Sequence, residues 1–427
     1  NILALCYDYL ANKSLGNNDV AIKSLDQLKR IDPLHHLISF EAFLLGDLSK
    51  ESLLMRHQSE LPYQTFLELA LLYYHAGFIS EATAVLENSP QNTLIQLWHA
   101  YLTKNSKALE KIKSLEVDFI FPFRVESIAM LEWAAEQQSN WKINYLLALN
   151  YLGTHQKEKG LEILTALENR PDWDQFYWIR ANILDNSNLN STFNDYKKAY
   201  ETTPKNWRFA LSYSKALDKK GETKNAISVL EKAYKESPEN YSIGMQLTES
   251  WVKINQFEKA IQLLNNLTVL PFEHDTGART IYTKAYIGAA LNALINRQWD
   301  GAAALLLTSL EWPERLGVGK PFDAEERINN FLLAFVREMK NEDSNEYYTN
   351  VIDYSKKHIA KGGVNCILGL YAIEMKEGKE AAKIYAQQLE GSVPNSEIEK
   401  VLSFYNNNPI QKLDVTFLKQ LVEFILN

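Results

Sequence analysis

The chain has 427 residues, 46% of them hydrophobic and 23% charged, which excludes a disordered chain and exceeds what one ordinary core can bury. A net charge of −8, with no run of five like charges, argues against nucleic acid as a principal partner, because phosphate binding needs clustered Lys and Arg. Only 17 glycines and 12 prolines punctuate the chain, so long helical runs joined by short turns are expected.

The chain opens Asn1-Ile2-Leu3-Ala4 inside an amphipathic helix, without an initiator Met, so a segment of a longer protein or a processed product is expected. No stretch approaches the ~20 apolar residues that span a bilayer, so no membrane span is expected. The compartment stays open, with a soluble, cytoplasmic location slightly favoured over the periplasm. Pro33, Pro62 and Pro90 then close units shorter than the later ones, and 34–61 reads as a pair of trimmed helices. Residues 92–117 look similar. Met130, Leu131, Trp133 and Ala134 follow Pro122 and mark a boundary between two arrays. Three regions follow from this: 1–121, 122–312 and 313–427.

The regular part comes next. Leu147, Ala148, Tyr151, Gly160, Leu164 and Pro171 mark one unit; Phe176, Ile179, Ile183, Tyr196, Ala199 and Pro204 mark another. The clearest unit runs from Asn206 to Pro238. Trp207, Ala210, Leu211, Tyr213 and Leu217 lie on its first helix, and Ala226, Ile227, Leu230, Ala233 and Tyr234 on its second. Steps of three and four put one apolar stripe on each helix, and Lys220-Gly221-Glu222 turns the chain between them. Leu247, Trp251, Phe257, Ala260, Leu264, Leu267 and Pro271 repeat the scheme, with Ala226 and Ala260 standing 34 residues apart. The final stretch, Leu413 to Leu426, reads as an amphipathic helix that caps the last unit.

This pattern resembles the tetratricopeptide repeat family. The residues that carry the resemblance are the small one in the first helix (Ala148, Gly369), the aromatic near its end (Tyr73, Tyr151, Trp251) and the glycine before the second helix (Gly77, Gly221). The small residue opening the second helix (Ala21, Ala82, Gly160, Ala226, Ala260, Ala302, Ala381) and the closing proline complete the set. The match is best over 140–310. The resemblance implies an all-α fold: a right-handed α-α superhelix, a solenoid of about 11 or 12 antiparallel helix pairs. It also implies a non-catalytic scaffold that holds a protein or peptide segment, or a partner domain of its own parent, in a concave groove lined by first helices. In that frame Tyr145, Tyr177, Arg208, Leu211, Lys215, Lys219, Met245 and Glu249 line the groove. Some family members clamp a peptide's terminal carboxylate with a repeated Lys and Asn set, which this frame lacks.

One segment breaks the repeat, Glu311 to Pro321, with Trp312, Arg315, Gly317, Gly319 and Lys320. A phosphate loop is excluded: Glu314 fills the slot of the first glycine and Pro321 that of the Ser or Thr. The plain reading is a rigid elbow between repeats; the other is the edge of a ligand or partner site. The segment also resembles a stretch in the C-terminal repeats of large bacterial proteins whose N-terminal parts are β-rich, mutarotase-like and carbohydrate-associated. That resemblance implies the rival function, the helical part of a carbohydrate-active protein with residues 312–321 near a sugar site.

Signals of chemistry are sparse. There is no His-Glu-x-x-His, Cys-x-x-Cys or Gly-x-Ser-x-Gly, so no catalytic residue, metal or cofactor is expected. His35 and His36 are adjacent and diverge around a helix, so they form no chelating face. Glu273-His274-Asp275 reads as a helix start. Cys6 and Cys366 sit in apolar surroundings as inert thiols, and the Glu325-Glu326 pair and Glu377/Glu380 read as solvated faces. In Tyr73-Tyr74, Tyr177-Trp178 and Tyr347-Tyr348 neighbours diverge around the helix, so one face cannot bury both; helix packing is the plain reading, and a groove lined by one member of each pair is the other.

Overall fold

The computed structural model describes residues 1–114, 117–184, 189–271, 276–392, 395–409 and 413–426. Among these residues the chain forms 24 α-helices and three short 3-10 turns, and no strand. Within each of two compact units most helices pair off antiparallel and successive pairs stack, the arrangement of an α-α superhelix. The units are Asn1–Phe176 and Tyr177–Asn427.

The first unit begins with Ile2–Ser14 against Asn18–Ile31 and continues through the short pair His36–Leu44 and Lys50–Arg56, then Pro62–His75 with Ile79–Asn88. Thr93–Leu102 packs on a 3-10 turn, so the second helix expected in that pair is reduced to Ser106–Ser114. Glu126–Gln137 precedes the pair Trp141–Gly153 and Lys157–Ala166. Gly160 is small for a reason: a Cβ there would lie 2.9 Å from the Ala148 carbonyl oxygen, where the two helices of the pair cross. A polar knot ties three pairs together. The buried Glu41 carboxylate accepts from Lys13 Nζ at 2.9 Å and from the Tyr73 hydroxyl at 2.7 Å. A carboxylate so buried is stable only because these charge-assisted bonds replace water.

The second unit holds the regular pairs. Trp207–Lys219 lies against Thr223–Glu236, and Tyr241–Lys253 against Phe257–Leu264. Asn206 and Asn240 cap the two first helices, their side chains accepting from Arg208 N and Ile243 N. Gly277–Ile295 pairs with Trp299–Ser309, Arg327–Met339 with Asn345–Lys357, and Cys366–Glu377 with Lys379–Ser392. Arg327 through Val336 and Cys366 through Ile373 are buried without interruption. Two helices buried all round need cover on both sides. Part of that cover comes from the C-terminal helices: Asn395–Asn407 packs on Cys366–Glu377, and Val415–Leu426 joins the same core. Leu418, Leu421 and Val422 are buried in the same core, Phe417 meets the Tyr371 ring at 5.2 Å, and the helix reaches back to Gly277–Ile295. The terminal helix thus does more than cap the final pair.

The turn inside each pair explains why the sequence pattern looks degenerate. After the first helix one residue adopts left-handed φ: Gly16, Gly46, Gly77 and Gly221 in four pairs, but Lys104, His155, Asn255, Arg297 and Asn341 in five others. The same bond closes each turn. Glu222 N donates to the Leu217 carbonyl at 2.9 Å, Gln256 N to Trp251 at 2.9 Å and Gln298 N to Ala293 at 2.9 Å. This is the Schellman closure of a helix end. The backbone repeats even where the glycine does not.

Candidate partner-binding surfaces

Helix Trp207–Lys219 buries Phe209, Ala210, Ser214 and Leu217 and turns Arg208, Lys215 and Lys219 outward. Those three sit on one face, because steps of seven and four return to the same side of a helix. Leu211 is half-buried and packs on the core of this unit, as does Met245 on the next first helix. Glu249 is also half-buried, 3.3 Å from Lys253 Nζ and accepting from Gln246 at 3.2 Å. Lys253 in turn reaches Asp218 of the preceding first helix at 2.6 Å. Partial burial opposes charge on Lys253, but its bond to Asp218 and the field of Glu249 hold its pKa above the ordinary lysine value.

Tyr145 and Tyr177 stand elsewhere than on an open groove wall. Tyr145 is 3% exposed, with its ring 5.8 Å from Trp173 and 5.7 Å from Phe176. Tyr177 is 2% exposed; its hydroxyl accepts from Lys198 Nζ at 2.7 Å. The position they share points between neighbouring helices, where a large ring fills the gap and a leucine or methionine leaves part of it open. Burial raises the Tyr145 phenol well above its ordinary pKa. The three aromatic pairs do split: Tyr73, Tyr177 and Tyr348 are buried, while Tyr74, Trp178 and Tyr347 are half-exposed.

The Glu311–Pro321 segment is a strap. Trp312 donates its indole N–H to Glu326 at 3.3 Å, and the Arg279 guanidinium lies 4.5 Å from its ring. Arg315 donates to the Leu264 carbonyl at 2.8 Å and to Asn265 Oδ1 at 3.1 Å, while its own carbonyl accepts from Val269 N at 2.7 Å. Leu316 enters the core beside Tyr282. Gly317 has φ +69°, and a Cβ there would sit 2.8 Å from the Val269 carbonyl oxygen, so no other residue fits. Gly319 and Lys320 are exposed, Lys320 pairing with Glu326 at 2.7 Å. Trp312, Arg315 and Gly317 therefore serve the elbow, and the outer edge of the loop is Gly319 and Lys320.

The remaining candidate chemistry is packing. Cys6 is buried, and burial pushes its thiol up to about 11. Cys366 is buried and donates to the Gly362 carbonyl at 3.1 Å. His36 and His57 meet edge to face at 4.7 Å. No group of three metal-ligating side chains occurs among the described residues. Glu273-His274-Asp275 lies outside them. The basic Lys356-Lys357-His358 run is neutralised by Glu377 and Asp323. No helix of the described residues is long and apolar enough to cross a membrane.

One surface was not expected. After Val117 the chain turns at Asp118-Phe119, where Phe119 takes a left-handed φ of 57°, and continues without regular structure to Glu126–Gln137; Phe119, Phe121, Phe123 and Val125 are 77%, 50%, 54% and 67% exposed, while Ile120 and Pro122 are buried. Side bonds hold this ridge in place. Tyr63 donates to the Phe119 carbonyl at 2.9 Å, and Asn150 to the Pro122 and Arg124 carbonyls at 2.9 and 3.0 Å. The signal was present in the sequence as apolar residues at alternate positions around a proline, a strand-like period in a helical chain.

Residues 219–269, which include the turn at Gly221 and both Ala226 and Ala260, match the tetratricopeptide repeat family model. Those residues thus resemble tetratricopeptide repeats, within an architecture that is all-α among the described residues. No curated protein matches it in sequence. Among solved structures it is similar to a tetratricopeptide repeat protein from Parabacteroides merdae (13% identity over 68% of this chain and 100% of that one, TM-score 0.38). It is also similar to the C-terminal part of a repeat-containing protein from Cytophaga hutchinsonii (17% identity, 60% and 99% covered, TM-score 0.40). A third is pilF of Pseudomonas aeruginosa (16% identity, 55% and 97% covered, TM-score 0.34).

Proposed function

We propose that the chain is a non-catalytic scaffold that holds protein partners. The observation that carries this reading is the Phe119, Phe121, Phe123 and Val125 ridge. Four large apolar side chains standing in solvent on a fixed backbone cost free energy unless another surface covers them, and aromatic side chains are the usual anchors of such contacts. The fixed backbone matters, because a ridge already in place loses little conformational entropy on binding. The occupant fitting this ridge best is a partner domain of the same parent, since a permanent neighbour keeps such a patch from water. A peptide segment fits the other surface, the face carrying Arg208, Lys215 and Lys219 beside Glu249 and Lys253. There the groups are mostly polar and solvated, so contacts would be exchangeable and salt-sensitive.

The test is capture of partners by the full chain and by the triple variant Phe119→Ser/Phe121→Ser/Phe123→Ser, with Lys383→Ala as control. The expected result is a specific partner retained by wild type and control and lost in the triple variant. Equal capture by all three would overturn the assignment of the ridge.

A further inference from the structure

A cleft of about 540 Å³ in the second unit lies between helices Phe257–Leu264, Gly277–Ile295 and Trp299–Ser309. Two facing stripes form it. Glu258, Gln262 and Asn265 follow one face of the first helix and its end; Asn292 and Asn296 follow one face of the second, and Gln298 closes the rim. The floor is small and apolar: Ile261, Ala289, Ala293 and Leu305. Five carboxamides thus ring one cleft, and Glu258 is the one ionisable residue in its lining.

Each carboxamide offers two donors and one acceptor without charge. The protein itself uses few of them. Asn296 Nδ2 donates to the Asn292 carbonyl at 2.9 Å, and Asn265 Oδ1 accepts from Arg315 at 3.1 Å and from Tyr286 at 3.3 Å. Gln262, Asn292 and Gln298 make no side-chain hydrogen bond with any described residue. The strap therefore has a second effect: Arg315 engages the oxygen of Asn265 and leaves its N–H donors for the cleft.

We propose that this cleft binds an extended, uncharged peptide segment through its main-chain amides. A carboxamide matches a peptide unit donor for acceptor, whereas an ion would find almost no charge here. A pyranose ring would find no aromatic face to stack on, since no aromatic residue lines the cleft. The apolar floor fits small side chains such as Ala, Ser or Val. Two helical turns are ~10 Å long, and an extended chain advances ~3.3 Å per residue, so about three residues are held. This site is apart from the Phe119 ridge and the Arg208 face, and its failure would leave both standing.

The test uses the full chain and a blocked tetrapeptide, acetyl-Ala-Ser-Gly-Ala-N-methylamide, read by saturation-transfer NMR, with maltotriose as the competing chemistry. The expected result is saturable millimolar binding of the peptide and none of the sugar. The triple variant Gln262→Ala/Asn292→Ala/Gln298→Ala should weaken binding roughly tenfold, as expected for losing a few hydrogen bonds of modest net strength. Asn292→Trp, at an exposed rim position, should block the cleft without touching the core. No saturable peptide signal, a signal unchanged in both variants, or preference for maltotriose would each overturn the proposal.

Discussion

Replacing Arg297 by glycine should stabilise the protein, and replacing Gly221 by alanine should destabilise it by a similar amount. Both residues stand at the same point of the repeat, with φ of +55° and +79°. An L-residue in this region carries a cost of roughly 1–2 kcal/mol, because its Cβ approaches the following carbonyl. Glycine escapes that cost but gives the unfolded chain about 0.4–1 kcal/mol more entropy. The net change is about 0.5–1 kcal/mol, positive for Arg297→Gly and negative for Gly221→Ala. Packing does not confound the pair. A Cβ at Gly221 meets nothing within 4 Å, and the exposed Arg297 side chain has no ion-pair partner among the described residues. Urea unfolding followed by tryptophan fluorescence reads the shift in midpoint at constant slope. A destabilised Arg297→Gly variant, or an unchanged Gly221→Ala variant, would refute the claim that one turn geometry is shared by units with and without glycine.

Three further outcomes follow from the packing. Arg180 and Asp195 form a buried bidentate pair at 2.7 Å, so Arg180→Leu should cost about 3–5 kcal/mol by leaving a carboxylate uncompensated, while Arg180→Leu/Asp195→Leu should recover most of it in thermal unfolding. His57 is 2% exposed, stands beside His36, Arg56 and the edge of Phe66, and is pushed down to about 4 from 6.5, chiefly by burial. Its folded pKa is depressed, so the unfolded chain binds the proton first as pH falls. The stability is whole above about pH 6.5 and is lost toward pH 4, up to about 3 kcal/mol in all, and His57→Leu should flatten that part of a pH–stability curve. Leu418 is fully buried on the inner face of the terminal helix, and Leu418→Ala should cost about 2–5 kcal/mol while speeding amide exchange in Gly277–Ile295; a loss under about 1 kcal/mol would mean the helix is not seated there.

The repeat frame could be read from the sequence wherever packing demands a specific size. Ala226, Ala260 and Gly160 lie where two helices cross, and Pro204 and Pro238 stand where helices must stop, so steric need wrote the period into the chain. The turns were legible only where glycine makes them. Where His155, Asn255 or Arg297 adopts the same φ, a modest backbone strain replaces the marker and the composition is silent. The partner surfaces were harder to read for another reason. The helical frame tells which way a residue points but not how near the next helix lies, so Tyr145 and Tyr177 were expected on a groove wall and are packed instead. Arg208, Lys215 and Lys219 were expected in the concave groove; they share one exposed helix face, where polarity and frame agree. The strap was recognised as irregular, but its bonds to Leu264, Asn265 and Val269 join residues some fifty positions apart, which no local pattern encodes. The same holds for the carboxamide cleft and for the return of Val415–Leu426 onto Gly277–Ile295: each depends on three helices meeting.

The most direct measurement is site-specific photocrosslinking in cells, with a benzophenone amino acid at Phe121 on the ridge and, for comparison, at exposed Lys383. A scaffold that docks protein through the Phe119–Val125 ridge should give a discrete crosslink at Phe121, to another domain of the same parent or to a separate protein, and none at Lys383. Free, unlinked chain at Phe121, or the same diffuse adducts at both positions, would contradict the account.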